Sequence, residues 1–397
     1  MEGHLHEWIN LLLRWIHFIV GVAWIGASFY FNWLENNLDR DPPQERGIAG
    51  NLWAVHGGGF YHLKKFKTGP RALPERLHWF KWEAYTTWLS GAALLATVYY
   101  FNARVFLLAP DSALNAPKGV FIGVLAVVGS WFVYDGMCRS PLRRLPPLLA
   151  ACVFVYLVAL AWGLSEVFSA RAAYIHVGAA IGTIMVANVF FVIIPAQKEM
   201  VAALTAKRPL DPRPGANGLL RSRHNNYLTL PVLFIMISGH FPSTYGNAWS
   251  WAVLAALAVA GWLARHYFNV RRKTSRAAAW LLAAAFALVA ALAWLTAPPR
   301  NGASAAAVST AQIASVIETR CASCHAARPT QPGFAAPPAG LALESPHEIE
   351  LNASRIYAAT VLTKTMPIAN LTGMTEDERE LLAAWFHHLG SKSETVQ

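Results

Sequence analysis

Charged residues are scarce in this chain. Aspartate, glutamate, lysine and arginine make up 14% of its 397 residues, whereas 55% are hydrophobic. So little charge, together with long apolar runs, excludes an ordinary soluble globular protein. The net charge of +11 does not indicate nucleic-acid binding, because the basic residues stand in short blocks between the apolar runs. We therefore expect a lipid bilayer, and no nucleic acid, as a partner.

Cysteine is also rare. The chain has four, which do not imply a disulfide framework. Cys138 and Cys152 lie at or within apolar segments and are expected to be small buried residues. A cleavage site of small residues is missing after the first apolar run, which is also too long for the core of a secretory signal. We expect that run to be retained as a helix.

Eight apolar stretches are long enough to cross a bilayer, which requires about 20 residues. The sixth is the shortest and most polar, and Pro231 within it predicts a kink. The predicted class is all-α, with an eight-helix transmembrane bundle. The stretches are residues 9–34, 82–101, 119–138, 146–166, 173–196, 225–241, 247–268 and 277–297.

A faint internal repeat relates the first four stretches to the last four. Trp-Ile-His, ending at His17, opens the first stretch, and Tyr-Ile-His, ending at His176, opens the fifth. Small apolar residues and then an aromatic cluster follow in both. This pattern suggests a 4+4 arrangement of two parallel halves, related by an axis along the membrane normal.

Basic residues alternate between the two sides of the predicted bundle. The connections 35–81, 138–145, 197–224 and 268–277 hold 21 lysines and arginines, against three in the N-terminal segment and the alternate connections. Because basic loops stay in the cytoplasm, the N-terminus and, after eight crossings, the C-terminus are predicted to be periplasmic. The expected location is the inner membrane of a bacterium.

The C-terminal segment carries the most specific motif. Cys321 and Cys324 are separated by two residues, and His325 follows directly. C-x-x-C-H is the attachment signature of a c-type haem, in which the thiols bind the haem edge and the histidine ligates the iron. Such haems are attached outside the cytoplasm, in agreement with the predicted topology. For the sixth ligand we expect Met366, with Met374 and His347 as alternatives.

Composition divides the chain into three parts. Residues 1–297 contain the apolar stretches, residues 298–309 form a linker rich in small residues and proline, and residues 310–397 have the composition of a small globular unit. This unit is predicted to open with a helix and to close with one that begins at a capping box of Thr375 and Glu378. The layout is typical of a class I cytochrome c domain.

Two histidines within the apolar stretches are candidates for a second haem, because an ionisable group inside a bilayer is expensive. Facing each other, His17 and His176 would bind a b-type haem through both axial positions, with Arg14 near a propionate. The alternative is two histidines hydrogen-bonded within a polar bundle core. Distance favours the haem, because electrons from the inner face would otherwise cross about 30 Å of hydrocarbon. The alternative is a substrate that binds near the outer face.

Polar residues cluster at the inner ends of the second and sixth stretches. Asparagine suits a flat, amide-rich heterocycle, and arginine or histidine suits an anion. The glycine run after His56 allows close approach to a ligand, or alternatively forms a flexible turn. The alternative for the whole cluster is headgroup contact and helix capping. The substrate-binding candidates are His56, Tyr85, Arg223 and Asn226, and the catalytic candidates are Glu83, His224, Asn225 and Tyr227.

Four further charged residues lie near the ends of the apolar stretches. Long side chains at such places reach the membrane surface at little cost. No site is therefore predicted at Glu35, Asp135, Glu166 or Arg265.

These residues together give the chain a resemblance to the integral-membrane bacterial urate hydroxylases (urate oxidases) with a fused cytochrome c domain. The resemblance covers essentially the whole length. Its marks are Trp15-Ile16-His17 with Trp24-Ile25-Gly26, His56-Gly57-Gly58-Gly59-Phe60-Tyr61, His78-Trp79-Phe80-Lys81-Trp82-Glu83-Ala84-Tyr85 and His224-Asn225-Asn226-Tyr227-Leu228-Thr229-Leu230-Pro231.

The resemblance implies an oxidoreductase of purine degradation, which converts urate to 5-hydroxyisourate with oxygen from water. Two electrons would leave one at a time through haem c to a periplasmic or membrane cytochrome or terminal oxidase. His224 or Glu83 would act as the general base that deprotonates urate or water.

Two other interpretations stay open. The first stretch, with His17 and Trp24, also resembles membrane protoporphyrinogen oxidases, which use a b-type haem. The second alternative is a pure electron-transfer module that carries electrons from quinol or a partner to a soluble cytochrome. The many polar groups at the inner face argue against this module.

Overall fold

The computed structural model describes residues 2–41, 46–70, 72–109, 112–271, 275–297, 308–331, 334 and 336–394, and the described chain is mostly helical. Long helices dominate the part before residue 298. They are α1 (Glu2–Asn37), α2 (Trp82–Leu95), α3 (Ala116–Arg139), α4 (Pro146–Ser165), α5 (Ala170–Asn188), α6 (Ile194–Thr205), α7 (Pro212–Ser238), the single turn α8 (Pro242–Tyr245), α9 (Ser250–Val270) and α10 (Ser275–Leu295).

Six helical segments of the described chain are long and apolar enough to cross a membrane. The other two predicted spans fall on α2 and α7, which do not reach that limit. Helix α2 has only 14 residues before its geometry changes, and α7 is interrupted by polar side chains. The count of eight crossings stays a prediction. The six segments are His4–Asn37, Ala116–Arg139, Pro146–Ser165, Ala170–Thr205, Ser250–Val270 and Ala278–Leu295.

Two of the long helices contain π-helical turns. Helix α2 continues as Ala96–Tyr100, and α5 continues as Val189–Ile193 before α6 begins. Pro195 lacks the N–H that would bind the carbonyl group of Phe191, which explains the wider turn after α5. Such turns frequently occur beside functional sites, and this one directly follows a buried asparagine, Asn188.

The connection after α1 contains a β-hairpin, in which β1 (Ile48–His56) pairs antiparallel with β2 (Gly59–Phe66). Gly57 and Gly58 form the turn with φ of +57° and +80°. Glycine reaches this left-handed region without steric cost, and two-residue hairpins require it. The hairpin corrects the prediction of an all-α chain. Of the two roles predicted for the glycine run, close approach to a ligand or a turn, the hairpin supports the turn.

Helix α5 is the centre of the helical part, and fourteen of its residues are buried. It packs between α3 and α7. A Cβ atom at Gly178 would lie 2.5 Å from Cγ2 of Ile235, so α5 and α7 approach closely only because this residue is glycine. The close approach brings polar side chains of α3 and α7 around the end of α5.

The C-terminal unit consists of shorter helices with a core of its own. Ile313, Ile317, Leu382 and Trp385 are at most 1% exposed in that core. The predicted opening helix and the predicted capping box are confirmed. Residues 298–307 of the predicted linker lie outside the described residues. The helices are α11 (Thr310–Arg320), α12 (Ala322–His325), α13 (Pro346–Leu351), α14 (Ala353–Tyr357) and α15 (Glu376–Glu394).

Acid is expected to loosen the C-terminal unit through Glu378. Its carboxylate accepts hydrogen bonds from the Thr375 N–H at 2.7 Å and from Nε of Arg320 at 3.0 Å. Burial disfavours the charged carboxylate, but these hydrogen bonds and the charge of Arg320 outweigh burial and lower the pKa of Glu378. This stabilisation is complete above the unfolded pKa of about 4.3 and is lost as the pH falls through the folded pKa.

Glu378→Gln should therefore lower the thermal midpoint of the unit at pH 7, by the equivalent of about 0.2–1 kcal/mol for such a water-accessible pair. The difference from wild type should shrink below about pH 4.3. Thermal melts of the purified protein at both pH values measure it. A difference that does not change with pH would contradict the assignment.

The C-terminal unit contacts the long helices at Gly246, directly after α8. A Cβ atom at Gly246 would lie 2.5 Å from Cγ2 of Thr363 and 3.1 Å from the carbonyl oxygen of Leu362. A larger residue would therefore push the two parts away from each other. Thr363 begins the loop that contains Met366, so this loop lies against the helix ends around residues 242–246.

Candidate functional site

A buried network of polar side chains connects α3, α5 and α7. Arg221 of α7 is 1% exposed, and it donates to Asp135 at 2.6 Å and to Asn188 at 3.2 Å. Asn188 in turn donates to Oδ1 of Asn225 at 2.8 Å and to the hydroxyl group of Tyr134 at 3.1 Å. Lipid offers no hydrogen bonds, so polar groups between membrane helices must satisfy one another in this way.

His224 joins this network from α7. Its Nδ1 lies 2.7 Å from the hydroxyl oxygen of Tyr134 and 3.9 Å from the sulfur of Cys138. Its Nε2 makes no hydrogen bond with the described residues. A neutral imidazole whose Nδ1–H donates to a hydroxyl oxygen can accept a proton at Nε2. The structure thus brings together two of the four catalytic candidates, His224 and Asn225.

Sequence reasoning missed Arg221, Tyr134 and Asn188 and misinterpreted Asp135. We attributed Asp135 and Arg265 to helix ends at the membrane surface, but they are only 9% and 8% exposed. Helical spacing in the sequence could have revealed that Arg221 belongs with His224 and Asn225. Arg221, His224 and Asn225 stand at i, i+3 and i+4 and share one face of a helix, whereas the predicted Arg223 lies on another face and is exposed.

Asn226 and Tyr227 face α9 instead. Asn226 donates to Oδ1 of Asn269 at 3.1 Å and accepts a hydrogen bond from Nε of Arg265. The hydroxyl group of Tyr227 lies 2.8 Å from Nδ1 of His266. Successive residues of an α-helix point about 100° apart, so residues 223–227 cannot serve one site. Asn226 and Tyr227 are therefore separate from the His224 network.

The candidates from the inner connection are dispersed. His56 is exposed beside the hairpin turn, and the ring of Tyr85 packs against Phe190 at a centroid distance of 5.3 Å. Glu83 is in the first turn of α2, where its Oε2 is buried without a hydrogen-bond partner among the described residues. A buried carboxylate oxygen without a partner is costly. It keeps Glu83 as a candidate base, apart from His224.

His17 of α1 contacts the middle of α2. Its Nδ1 lies 3.1 Å from the carbonyl oxygen of Thr87 and 3.0 Å from Oγ of Ser90. This arrangement leaves Nε2 available, as in histidines that bind a metal through one nitrogen and a carbonyl group through the other. Arg14 donates to Oδ1 of Asn10 at 2.8 Å.

His176 is fully buried, and it contacts the π-helical turn that follows α2. Its Nδ1 lies 2.8 Å from the carbonyl oxygen of Ala172, and its Nε2 lies 3.2 Å from the hydroxyl group of Tyr100. Ten residues, or about 15 Å of helix, separate Tyr100 from the Ser90 that contacts His17. Each histidine has the carbonyl contact expected of a ligand, but among the described residues the two have different hydrogen-bond partners. Their pairing on one haem stays a prediction.

The C-x-x-C-H residues form a single helical turn, α12. The N–H groups of Cys324 and His325 donate to the carbonyl oxygen of Cys321 at 3.1 and 2.9 Å. Nδ1 of His325 lies 2.9 Å from the carbonyl oxygen of Leu341, which leaves Nε2 free for iron. Both thiols are unpaired, and burial raises the pKa of Cys321 to about 12. These residues fit a covalently attached haem.

A covalently attached haem would bring iron ligands of its own, so the chain would need to supply only His325 and one further residue. Among the described residues, no group of three or more His, Cys, Asp or Glu side chains could hold a metal ion.

Met366 stays the predicted second ligand of the haem iron. Met374 is 3% exposed and belongs to the core of the C-terminal unit, whereas His347 is exposed. Met366 is half-buried, and Arg379 donates to its carbonyl oxygen at 3.0 Å. The loop is thus held in place while the thioether of Met366 is not committed to the core.

Met366→Leu should lower the reduction potential of the bound haem, because a methionine ligand raises it. Met374→Leu should leave that potential unchanged and cost less than about 1.5 kcal/mol of stability, because the two side chains have similar volumes. A redox titration of both holoproteins measures the difference. A wild-type potential in Met366→Leu would contradict this assignment.

Comparison with known proteins covers the helical part of the chain. A family model described as urate oxidase N-terminal matches residues 3–297. The match includes α1 to α10 with the buried network and ends before the C-terminal unit. No curated protein and no solved structure matches the chain.

Proposed function

Because the chain belongs to the urate oxidase N-terminal family, we propose that it oxidises urate to 5-hydroxyisourate in a membrane and passes the electrons to a haem c in its C-terminal unit. The observation that carries this proposal is the family match over residues 3–297. The buried network and the geometry around His325 support it. The electron acceptor beyond this haem would be a periplasmic or membrane cytochrome or a terminal oxidase.

The proposed reaction balances with water as the co-substrate. Urate and water give 5-hydroxyisourate, two electrons and two protons, as a bond forms between C5 and the water oxygen. A haem bound at Cys321 and Cys324 would accept these electrons one at a time. The chain itself must bind urate, hold it in place, and receive the protons.

His224 is the proposed proton acceptor. In the tautomer whose Nδ1–H donates to the hydroxyl oxygen of Tyr134, Nε2 is unprotonated and can accept a proton from water or urate. Asn188 fixes the Tyr134 hydroxyl, and Arg221 with Asp135 fixes Asn188 in turn. The buried Oε2 of Glu83 makes that residue the second candidate.

The proposed location is the bacterial inner membrane, with both termini in the periplasm. Six apolar helices agree with a membrane protein. The excess of basic residues in alternate connections and the haem attachment motif support the orientation. Purine degradation would be the corresponding process.

Urate-driven reduction of the haem tests the function. Membranes that contain the protein should show haem c reduction when urate is added without oxygen, and the product should carry oxygen from isotopically labelled water. Hydrogen peroxide should not form. If urate leaves the haem oxidised while dithionite reduces it, the chain would be an electron-transfer module instead.

A count of haem types tests the proposed haem b. A pyridine haemochrome spectrum of the purified protein should show one b-type haem for each c-type haem. A c-type haem alone would exclude the His17 and His176 pairing. It would also require the electrons to start closer to the C-terminal unit.

A further inference from the structure

A cavity of about 590 Å³ lies between the ends of α1 and α9, beside Leu230 of α7. Its volume is typical of small-molecule sites, which range from about 300 to 1,000 Å³. Aromatic rings, side-chain amides and guanidinium groups line it. The members used in the argument below are Phe29, Asn32, Asn36, Arg265, Phe268 and Asn269.

Arg265 is the charged centre of this cavity. It is 8% exposed, and its guanidinium carbon lies 4.3 Å from the ring centroid of Phe29. Its Nε donates to Asn226, but its Nη atoms make no hydrogen bond or ion pair with the described residues. The Nη atoms are not among the buried atoms that lack a partner, so they are open to the cavity. An anionic ligand there would supply the counter-charge that the described residues do not provide.

The rest of the lining has a matching character. No carboxylate is among the described residues that line the cavity, and Arg271 adds a second positive charge. Glu35, which is close in sequence, is paired with Arg40 and Lys65 instead. The cavity therefore favours an anion over a neutral or cationic ligand.

The amides define the shape and hydrogen bonding of that anion. Asn32 and Asn36 are one helical turn apart on α1, and Asn269 faces them from α9. Nδ2 of Asn32 donates to the carbonyl oxygen of Ser28, so its Oδ1 is left to accept from a ligand. Together with the Phe29 and Phe268 rings, these groups match a planar molecule with alternating N–H and C=O groups.

We propose that this cavity is the binding site for the purine anion, and that Arg265 contacts its negative charge. The inference rests on the proposed oxidation of urate and deepens it. It places urate on the α9 side of α7, so His224 on the other side would receive protons through water and not directly from urate. Arg265 presents two N–H groups in one plane, which suits an oxygen and a nitrogen on the edge of a flat anion. Asn226 holds Arg265 and is a positioning residue, which gives the Asn226 candidate a different role from the predicted one.

Binding of urate without turnover is the direct test. Dithionite keeps the holoprotein reduced, so urate cannot be oxidised, and equilibrium dialysis with radiolabelled urate gives Kd. Arg265→Met should raise Kd about 10- to 100-fold, the usual value of hydrogen bonds to a charged group. Arg213→Met removes the same charge from an 88% exposed side chain and should leave Kd unchanged.

A second variant keeps the test valid if Arg265→Met fails to fold. Asn36 is exposed at the end of α1, so Asn36→Asp should fold. Its new carboxylate would neutralise Arg265 or Arg271 inside the cavity and should raise Kd for urate. Steady-state assays with oxidised protein should show the same increase in KM, with a smaller change in kcat.

The outcomes separate this inference from the proposed function. Wild-type protein that oxidises urate, with unchanged Kd in Arg265→Met and Asn36→Asp, would overturn the cavity assignment alone. Wild-type protein that neither binds nor oxidises urate would overturn both. If Arg265→Met instead lowers the amount of co-purified phosphatidylglycerol while Kd for urate stays constant, the cavity holds a lipid headgroup and the inference fails.

Discussion

Cys321→Ser combined with Cys324→Ser should abolish urate-driven electron transfer, because no thiol would be left to attach the haem. The two thiols are unpaired and stand one helical turn apart beside His325. Haem staining of the denatured protein on a gel should be lost, and urate should no longer reduce an added cytochrome. The part that spans residues 2–297 should still fold, since its core does not include this turn.

Cys152→Ser is the matched control for this prediction. Cys152 is a half-buried thiol of α4, far along the chain from the haem motif. Its variant should retain the stained haem and urate-driven reduction. If the double serine variant still transferred electrons at the wild-type rate, the C-terminal unit would not be the exit of the proposed reaction.

Arg221→Met should destabilise the helical part, because Asp135 would lose its buried partner and keep only the exposed Arg139. Removing one partner of a buried ion pair typically costs about 3–5 kcal/mol. Asn188 would also lose a donor, and the support of Tyr134 and His224 would weaken. A large fall in the thermal midpoint in detergent, with loss of urate oxidation, is the expected result.

Arg139→Met is a control on the same carboxylate. Arg139 contacts Asp135 at 2.6 Å, but its side chain is 74% exposed. An exposed ion pair contributes about 0–1 kcal/mol, so this variant should melt close to wild type. Equal effects of Arg139→Met and Arg221→Met would show that the buried network is not a distinct structural unit.

The helices could be predicted from the sequence because apolar length alone indicates them. The sequence did not show which neighbouring helix each face of a helix contacts. In α7, the sequence predicts that the polar residues between 223 and 229 form one cluster at a helix entrance. The helix instead directs Asn225 towards α5 and Asn226 towards α9. Both asparagines have the same chemistry, and only the positions of the neighbouring helices distinguish them.

Burial was the second property that the sequence did not reveal. Asp135 and Arg265 stand near helix ends, where a charged side chain usually reaches water. Their burial depends on partners from distant parts of the chain, Arg221 in one case and Asn226 in the other. The sequence also did not reveal the hairpin. Its first strand, β1, has only nine residues, and their polar and apolar side chains do not alternate regularly enough to distinguish a strand from a loop.

The C-x-x-C-H motif is visible in the sequence because covalent haem attachment requires fixed residues at fixed spacing, while the haem itself stays a prediction. The capping box of α15 was predictable for the same reason, as its two hydrogen bonds depend only on residues three apart. Local chemistry of this kind does not depend on the rest of the fold. The position of Met366 relative to the long helices, in contrast, does depend on the rest of the fold.

The contact between Gly246 and Thr363 would fix the distance between the proposed urate site and the proposed haem within a single molecule. A tethered partner has an effective concentration in the millimolar range, which does not fall when the protein is diluted. The rate of internal electron transfer should therefore be first order and independent of protein concentration and ionic strength. Dilution would affect only the later transfer to an external cytochrome, so the membrane could contain few copies of this protein without slowing its first step.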